Sequence, residues 1–275
     1  MSVFRRDVAL PADHGSWGFF LKPMLIGLFA GGRWYTPAIY LTIAAVSAFL
    51  VRQPISLLVK IHAGRRPRET LGAAWFWILV YGSLGGLHVV GLVMRGFGYV
   101  LWLAIPGALV FSWYLLLLVR REERRAWGME ILATGAMALA APAGLWAGLG
   151  RPDPVGWILW VLVWAESATA IVYVYHRLEE RQLSRAPAVA ERLRSGRAAM
   201  IAASASVVLA LVIGFAGPVS RWIFLPFLLQ WVEVARGIWR PAVGTMPSAI
   251  GLRQLTLTAA FTLLFILIWR LPPVG

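Results

Sequence analysis

Long apolar runs, separated by short polar or basic breaks, dominate the pattern of hydrophobic and polar positions along this chain. At roughly 15 to 23 residues, each run is long enough for an α-helix to cross a bilayer, whereas transmembrane β-strands alternate over about ten residues. We therefore predict an all-α, polytopic membrane bundle of about nine transmembrane helices. The predicted spans are 17–31, 35–51, 71–93, 98–119, 130–149, 155–175, 199–215, 220–235 and 255–269.

Composition agrees with lipid as the main solvent of the chain. Hydrophobic residues make up 60% and charged residues only 14%, a balance that one soluble core of this size could not hide. The chain has no cysteine, which excludes disulfides, thiolate nucleophiles and cysteine-ligated metal centres. We predict a single integral membrane domain over residues 1–275 with a retained first helix and no metal site, and leave any cofactor unknown.

The formal net charge of +14 is best explained by membrane topology. With the N-terminus inside, twenty of the 26 Lys and Arg residues fall on the inner side and five on the outer side. This asymmetry predicts an N-inside, C-outside orientation. The basic loops then attract anionic lipid headgroups, and we expect membrane lipids, not nucleic acid, as their partners.

Polar side chains within or beside the predicted spans are the candidates for chemistry, because burying them in lipid is costly. We predict that they line an inward-facing cavity, which binds the polar head of an amphipathic ligand while aromatic residues surround its tail. Alternatively, Lys22 pairs with Glu166 or Glu233 between helices, or extends to the membrane surface. The candidate residues are His14, Trp17, Lys22, Arg52, Glu166, Gln230 and Glu233.

Other polar residues have simpler interpretations. We expect His88 to form an interhelical hydrogen bond in a glycine-rich stretch. The adjacent Glu179 and Glu180 predict a solvated, internally paired helix face, with magnesium or diphosphate binding as the alternative. The basic loop 177–197 is compatible with a short amphipathic helix. Three prolines within spans are expected to perturb their helices, namely Pro106, Pro142 and Pro226.

The N-terminal segment Pro11-Ala12-Asp13-His14-Gly15-Ser16-Trp17, followed by Pro23, resembles the signature of the YwiC-like family of bacterial membrane proteins. The resemblance singles out His14 and Trp17 and implies placement in a bacterial cytoplasmic (inner) membrane, without a defined reaction. An imidazole, a glycine and an indole at a helix start suit contact with a headgroup or phosphate. Alternatively, Trp17 anchors the helix, Asp13 caps it and His14 bonds a neighbouring loop.

The predicted topology is also similar to that of the UbiA superfamily of intramembrane prenyltransferases. Those enzymes hold magnesium and a prenyl diphosphate through aspartate-rich motifs at the inner ends of the second and sixth helices. Here the matching segments, 51–54 and 173–180, contain no aspartate. Metal-dependent diphosphate chemistry is therefore not expected, although Arg and His side chains can bind an anionic head directly.

Three hypotheses for function follow. The leading one is a UbiA-like bundle that binds an isoprenoid, quinone or lipid-like molecule, as a divergent transferase if it is an enzyme. The second is a non-catalytic structural or assembly subunit of a membrane complex, for instance a respiratory one. The third is a transporter, suggested by prolines in spans and by an intramembrane lysine and glutamate.

Overall fold

The computed structural model describes residues 4–11, 14–120 and 127–271, and leaves the side chains of His14 and Trp127 undescribed. These residues form helices and connecting turns, with no strand among them. The chain divides into two compact units, Met1–Gly156 and Trp157–Gly275. The assignment of residues 1–275 to a single membrane domain remains a prediction.

The first unit is built around its second helix. Between Leu21 and Gly31, only Leu21 and Leu25 are exposed, so α2 is enclosed on most of its circumference. It packs chiefly against α7, while α3 packs against α4. The helices of this unit are α1 (Arg6–Ala9), α2 (His14–Gly31), α3 (Thr36–His62), α4 (Leu71–Met94), α5 (Ala104–Arg120), α6 (Trp127–Ala138) and α7 (Ala140–Leu149).

Glycines bring the backbones of α2 and α7 into direct contact. A Cβ atom on Gly144 would lie 2.7 Å from the carbonyl carbon of Gly27, and one on Gly31 would lie 2.9 Å from the Cα of Gly148. The contacts advance in the same direction along both helices, so the pair is parallel. Each helix thus contributes glycines four residues apart, the arrangement that lets membrane helices approach closely.

The second predicted span is longer in the structure than in the sequence analysis. Helix α3 continues to His62, so the predicted end of this span at residue 51 is wrong. The helix persists through Pro54 because Pro54, Ser56 and Ile61 are buried on it and packing outweighs the lost backbone hydrogen bond. The chain turns only at Gly64, whose φ of 69° favours glycine.

The three prolines predicted to perturb helices occupy one kind of position. Pro106, Pro142 and Pro226 are each the third residue of a helix. Proline lacks a backbone N–H, but the N–H groups of the first helical turn have no partner within the helix, so proline is readily accommodated there. Each of these helices starts just before its proline: a 3₁₀ turn precedes α5 and another precedes α11 (Phe224–Trp239), and Leu139 interrupts the helix before α7.

The second unit packs α10, α11 and α12 with the long helix α8. Tyr173 of α8 joins Ala199, Ala203, Val234 and Ile238 in one buried cluster. The expected short helix in loop 177–197 is present as α9. The helices of this unit are α8 (Val155–Glu180, which begins at the unit boundary), α9 (Val189–Ser195), α10 (Arg197–Ala216), α11 (Phe224–Trp239) and α12 (Pro247–Trp269).

Seven helical segments among the described residues are long and apolar enough to cross a membrane. Of the nine predicted spans, the first and the eighth, which correspond to α2 and α11, are missing from this set. The count of nine and the orientation therefore stay predictions. The seven segments are Thr36–His62, Arg68–Met94, Gly98–Arg120, Gly128–Leu149, Val155–Glu180, Arg197–Ala216 and Pro247–Trp269.

Candidate functional site

Two of the predicted site residues meet at one phenylalanine in the first unit. The Trp17 ring of α2 packs edge-to-face against Phe49 of α3, with ring centroids 5.0 Å apart. One turn further along α3, the Arg52 guanidinium lies 5.5 Å from the Phe49 centroid. Phe20 stacks on the same ring at 4.6 Å. The ring of Phe49 therefore links Trp17 to Arg52.

The Arg52 side chain is held by three helices. Its guanidinium also lies 5.9 Å from the Phe111 centroid on α5, and Nη1 is 3.7 Å from Sδ of Met137 on α6. Aromatic faces and a polarizable thioether stabilise a delocalised cation within an apolar environment. Half-buried in this way, Arg52 presents a hydrogen-bonding cation beside aromatic surface.

The remaining candidates of the first unit are Lys22 and His14. Lys22 is only 2% exposed, and its ammonium lies 5.7 Å from the Phe19 centroid. The predicted extension of Lys22 to the surface is therefore wrong, because α2 is enclosed by its neighbours at this level. His14 begins α2, but its side chain lies outside the described part of the structure.

In the second unit, the Gln230 side chain contacts the backbone of Glu166. Gln230 Nε2 donates to the main-chain carbonyl oxygen of Glu166 at 3.0 Å, and both side chains are at most 2% exposed. Ser167 Oγ lies 3.5 Å from Glu166 Oε2. Gln230 Oε1 is buried with no hydrogen-bond partner among the described residues. Polar groups thus connect α8 to α11 deep in this unit.

Glu233 forms an ion pair with Arg253. Its carboxylate accepts hydrogen bonds from Arg253 Nε at 2.5 Å and Nη2 at 2.7 Å. The Tyr173 hydroxyl donates to Glu233 Oε1 at 3.1 Å. Three helices therefore meet at this carboxylate. Arg253 was not predicted as a site residue, because the last span was predicted to begin only at residue 255, whereas α12 begins at Pro247.

Glu179 and Glu180 differ sharply in environment. Glu179 is exposed, as predicted, but Glu180 is only 3% exposed, so the prediction of a solvated face is wrong for it. Arg177 Nη1 donates to Glu180 Oε2 at 2.9 Å, and the Ala242 N–H donates to the same oxygen at 3.2 Å. The segment after α11 covers this carboxylate and excludes water.

Arg177 also holds the end of α11. Its Nη1 donates to the carbonyl oxygens of Gly237 at 2.7 Å and Arg240 at 2.8 Å. On the other side of Glu180, His176 Nε2 lies 3.3 Å from Oε1, although misaligned for a hydrogen bond. Together these contacts link the C-terminal end of α8 to the C-terminus of α11, where main-chain carbonyls without helical partners favour a cation.

Within the part of the chain that the structure describes, His88 does not form the predicted interhelical hydrogen bond. Its Nδ1 pairs with the carbonyl oxygen of Leu84, one turn earlier in α4, at 2.7 Å. Its contact with another helix is an edge-to-face packing on Tyr40, with centroids 5.5 Å apart. Across the described residues, no group of three or more His, Asp or Glu side chains is placed to hold a metal ion.

A shallow cleft lies where α3 and α5 end. It has a volume of about 370 Å³ and an almost wholly apolar lining. None of the predicted site residues contributes to that lining, so the sequence analysis missed this feature. The lining residues are Leu58, Val59, His62, Ala63 and Val119.

These features together define a multi-pass helical membrane protein. Residues 10–145 match the model of the YwiC-like protein family, so this part of the chain is similar to that family. The resemblance predicted from the His-Gly-x-Trp motif is therefore confirmed. No curated protein and no solved structure shows significant similarity to the chain.

Proposed function

We propose that this protein binds an amphipathic molecule of the isoprenoid or quinone type in its YwiC-like unit, with Trp17, Phe49 and Arg52 as the contact surface. The proposal is carried by one observation, the Arg52 guanidinium lying over both Phe49 and Phe111. A guanidinium donates to quinone carbonyl or phosphate oxygens, and the neighbouring rings pack on a flat or prenylated group.

We place this contact surface toward the cytoplasmic side of a bacterial inner membrane, with nine spans and the N-terminus inside. The asymmetry of basic residues supports that orientation. A UbiA-like architecture and a transferase activity are extensions of this proposal. Glu166, Gln230 and Glu233 lie in the second unit, and their contacts there support a structural role for Glu233.

Binding of a short-tailed benzoquinone to the full chain in lipid nanodiscs tests the proposal. Arg52→Gln keeps a polar side chain but removes the cation, and we expect at least about tenfold weaker binding. Arg33→Gln is the matched control, because Arg33 is exposed between α2 and α3 and its loss should leave affinity unchanged. Equal affinity of both variants and the parent would exclude the site at Arg52.

The two other hypotheses make different predictions in the same preparation. A structural subunit is expected to copurify with defined partner chains from its own membrane and to show no quinone binding. A transporter is expected to show a solute flux that Glu166→Gln abolishes, because that buried residue in α8 would have to change its charge or partner during transport.

A further inference from the structure

The cleft at the ends of α3 and α5 has the properties of a lipid-chain site. Leu58, Val59, Ala63 and Val119 line it with alkyl groups, and its volume of about 370 Å³ lies within the usual range of small-molecule sites, about 300 to 1,000 Å³. An alkyl-lined cleft of this size favours an acyl chain over a polar solute.

One polar side chain, that of His62, lines the cleft. Within the described part of the chain, only one of its two ring nitrogens pairs with the backbone. His62 Nδ1 pairs with the Leu58 carbonyl oxygen at 2.9 Å. His62 is exposed and is the polar member of an otherwise apolar lining. Because the carbonyl oxygen can only accept, Nδ1 carries the N–H of the neutral ring, and Nε2 can donate to a phosphate oxygen from the protonated imidazole, which has an N–H on both nitrogens.

Basic residues cluster along the chain segment that contributes most of the cleft lining. Between Leu58 and Arg68 the sequence carries four Lys and Arg residues and no carboxylate. Arg65 reaches from the end of α3 to α5, where its Nη1 donates to the Leu118 carbonyl oxygen at 2.8 Å, beside Val119. A cluster of basic residues directly after a membrane helix attracts anionic lipid.

We propose that this cleft binds one anionic phospholipid, with an acyl chain against Val59 and Val119 and the phosphate against His62 and the Arg65 side of the cleft. An apolar lining alone would accept the acyl chain of any lipid. The basic residues next to the lining segment favour a lipid with an anionic headgroup. The site is separate from the proposed one at Arg52, because its lining contains neither Arg52 nor Phe49.

Native mass spectrometry of the full chain, mixed with phosphatidylglycerol or phosphatidylcholine of identical acyl chains, tests this proposal. We expect a retained phosphatidylglycerol adduct, reduced about fivefold or more by Val119→Trp, which fills the cleft, and weakened by His62→Ala. Val93→Trp is the matched control, because Val93 is similarly exposed near the end of α4, at 50% against 55% for Val119, and should keep the adduct.

A second substitution, Ala63→Leu, fills the cleft more gently and is expected to reduce the adduct if Val119→Trp misfolds. Equal retention of the two lipids, or phosphatidylglycerol retained in both Ala63→Leu and Val119→Trp, would overturn the proposal. Displacement of the lipid by soluble glycerol phosphate would also overturn it, because the headgroup alone would then carry the affinity. Quinone binding in these variants should be normal, which separates this test from that of Arg52.

Discussion

Arg253 of α12 donates two hydrogen bonds, 2.5 and 2.7 Å long, to the Glu233 carboxylate of α11. Because the Arg253 side chain is 45% exposed, screening reduces the value of the pair, and we expect a coupling free energy of about 1 kcal/mol. A double-mutant cycle with Glu233→Gln and Arg253→Gln, read by reversible detergent denaturation, measures it. The same cycle with Arg221→Gln should give no coupling, because Arg221 is exposed and lies just before the opposite end of α11.

Gly27 is predicted to be intolerant of even one methyl group. A Cβ there would lie 2.7 Å from the Cα of Ala141, so Gly27→Ala should lower the free energy of unfolding by about 1 to 3 kcal/mol. Gly107 of α5 has no atom within 4 Å of its Cβ position, so Gly107→Ala should be neutral or stabilising by up to about 1 kcal/mol. Equal effects would mean that α2 and α7 are not in backbone contact.

The two adjacent glutamates at the end of α8 should respond differently to the same substitution. Glu180→Gln removes a buried charge that faces Arg177 and is expected to cost about 2 kcal/mol of folding stability. Glu179→Gln, on the exposed side, should change stability by less than about 0.5 kcal/mol. Thermal unfolding of both variants in one detergent provides the comparison, and similar midpoints would contradict the burial of Glu180.

The number of membrane crossings is measurable because the chain has no cysteine, so single cysteines can be introduced without background. If α2 spans the membrane, Arg5→Cys and Arg33→Cys should react with an impermeant maleimide from opposite sides. If α11 also spans, Pro218→Cys and Thr245→Cys should do the same. Labelling of both members of a pair from one side would reduce the count below nine.

Sequence reasoning located helices best where a single apolar run ends in charged or glycine-rich segments. The predicted span 71–93 and α4, Leu71–Met94, differ by one residue. Prediction was poorest where a helix continues through polar residues. Arg52 and Pro54 marked the end of a span in the sequence, but helix packing carries α3 beyond both.

The candidate site was only partly accessible to prediction. The cost of burying a polar group in lipid drew attention to Arg52 and Glu166, because that cost can be assessed for each residue separately. Which groups meet is a property of the folded chain, so Phe49 between Trp17 and Arg52 was not predicted. Glycines spaced four apart, as at Gly27 and Gly31, were visible in the sequence and would have indicated the close contact with α7.

The parallel contact between α2 and α7 also has a consequence for biogenesis. Gly27 and Gly31 meet partners that the ribosome adds more than a hundred residues later. At about 5 to 20 residues per second, that delay is roughly 6 to 20 s. Throughout it, α2 with its Lys22 lacks the surface that encloses it, so completion of the first unit depends on insertion of α7. Nascent chains that stop before α7 should therefore be recognised by the membrane quality-control proteases.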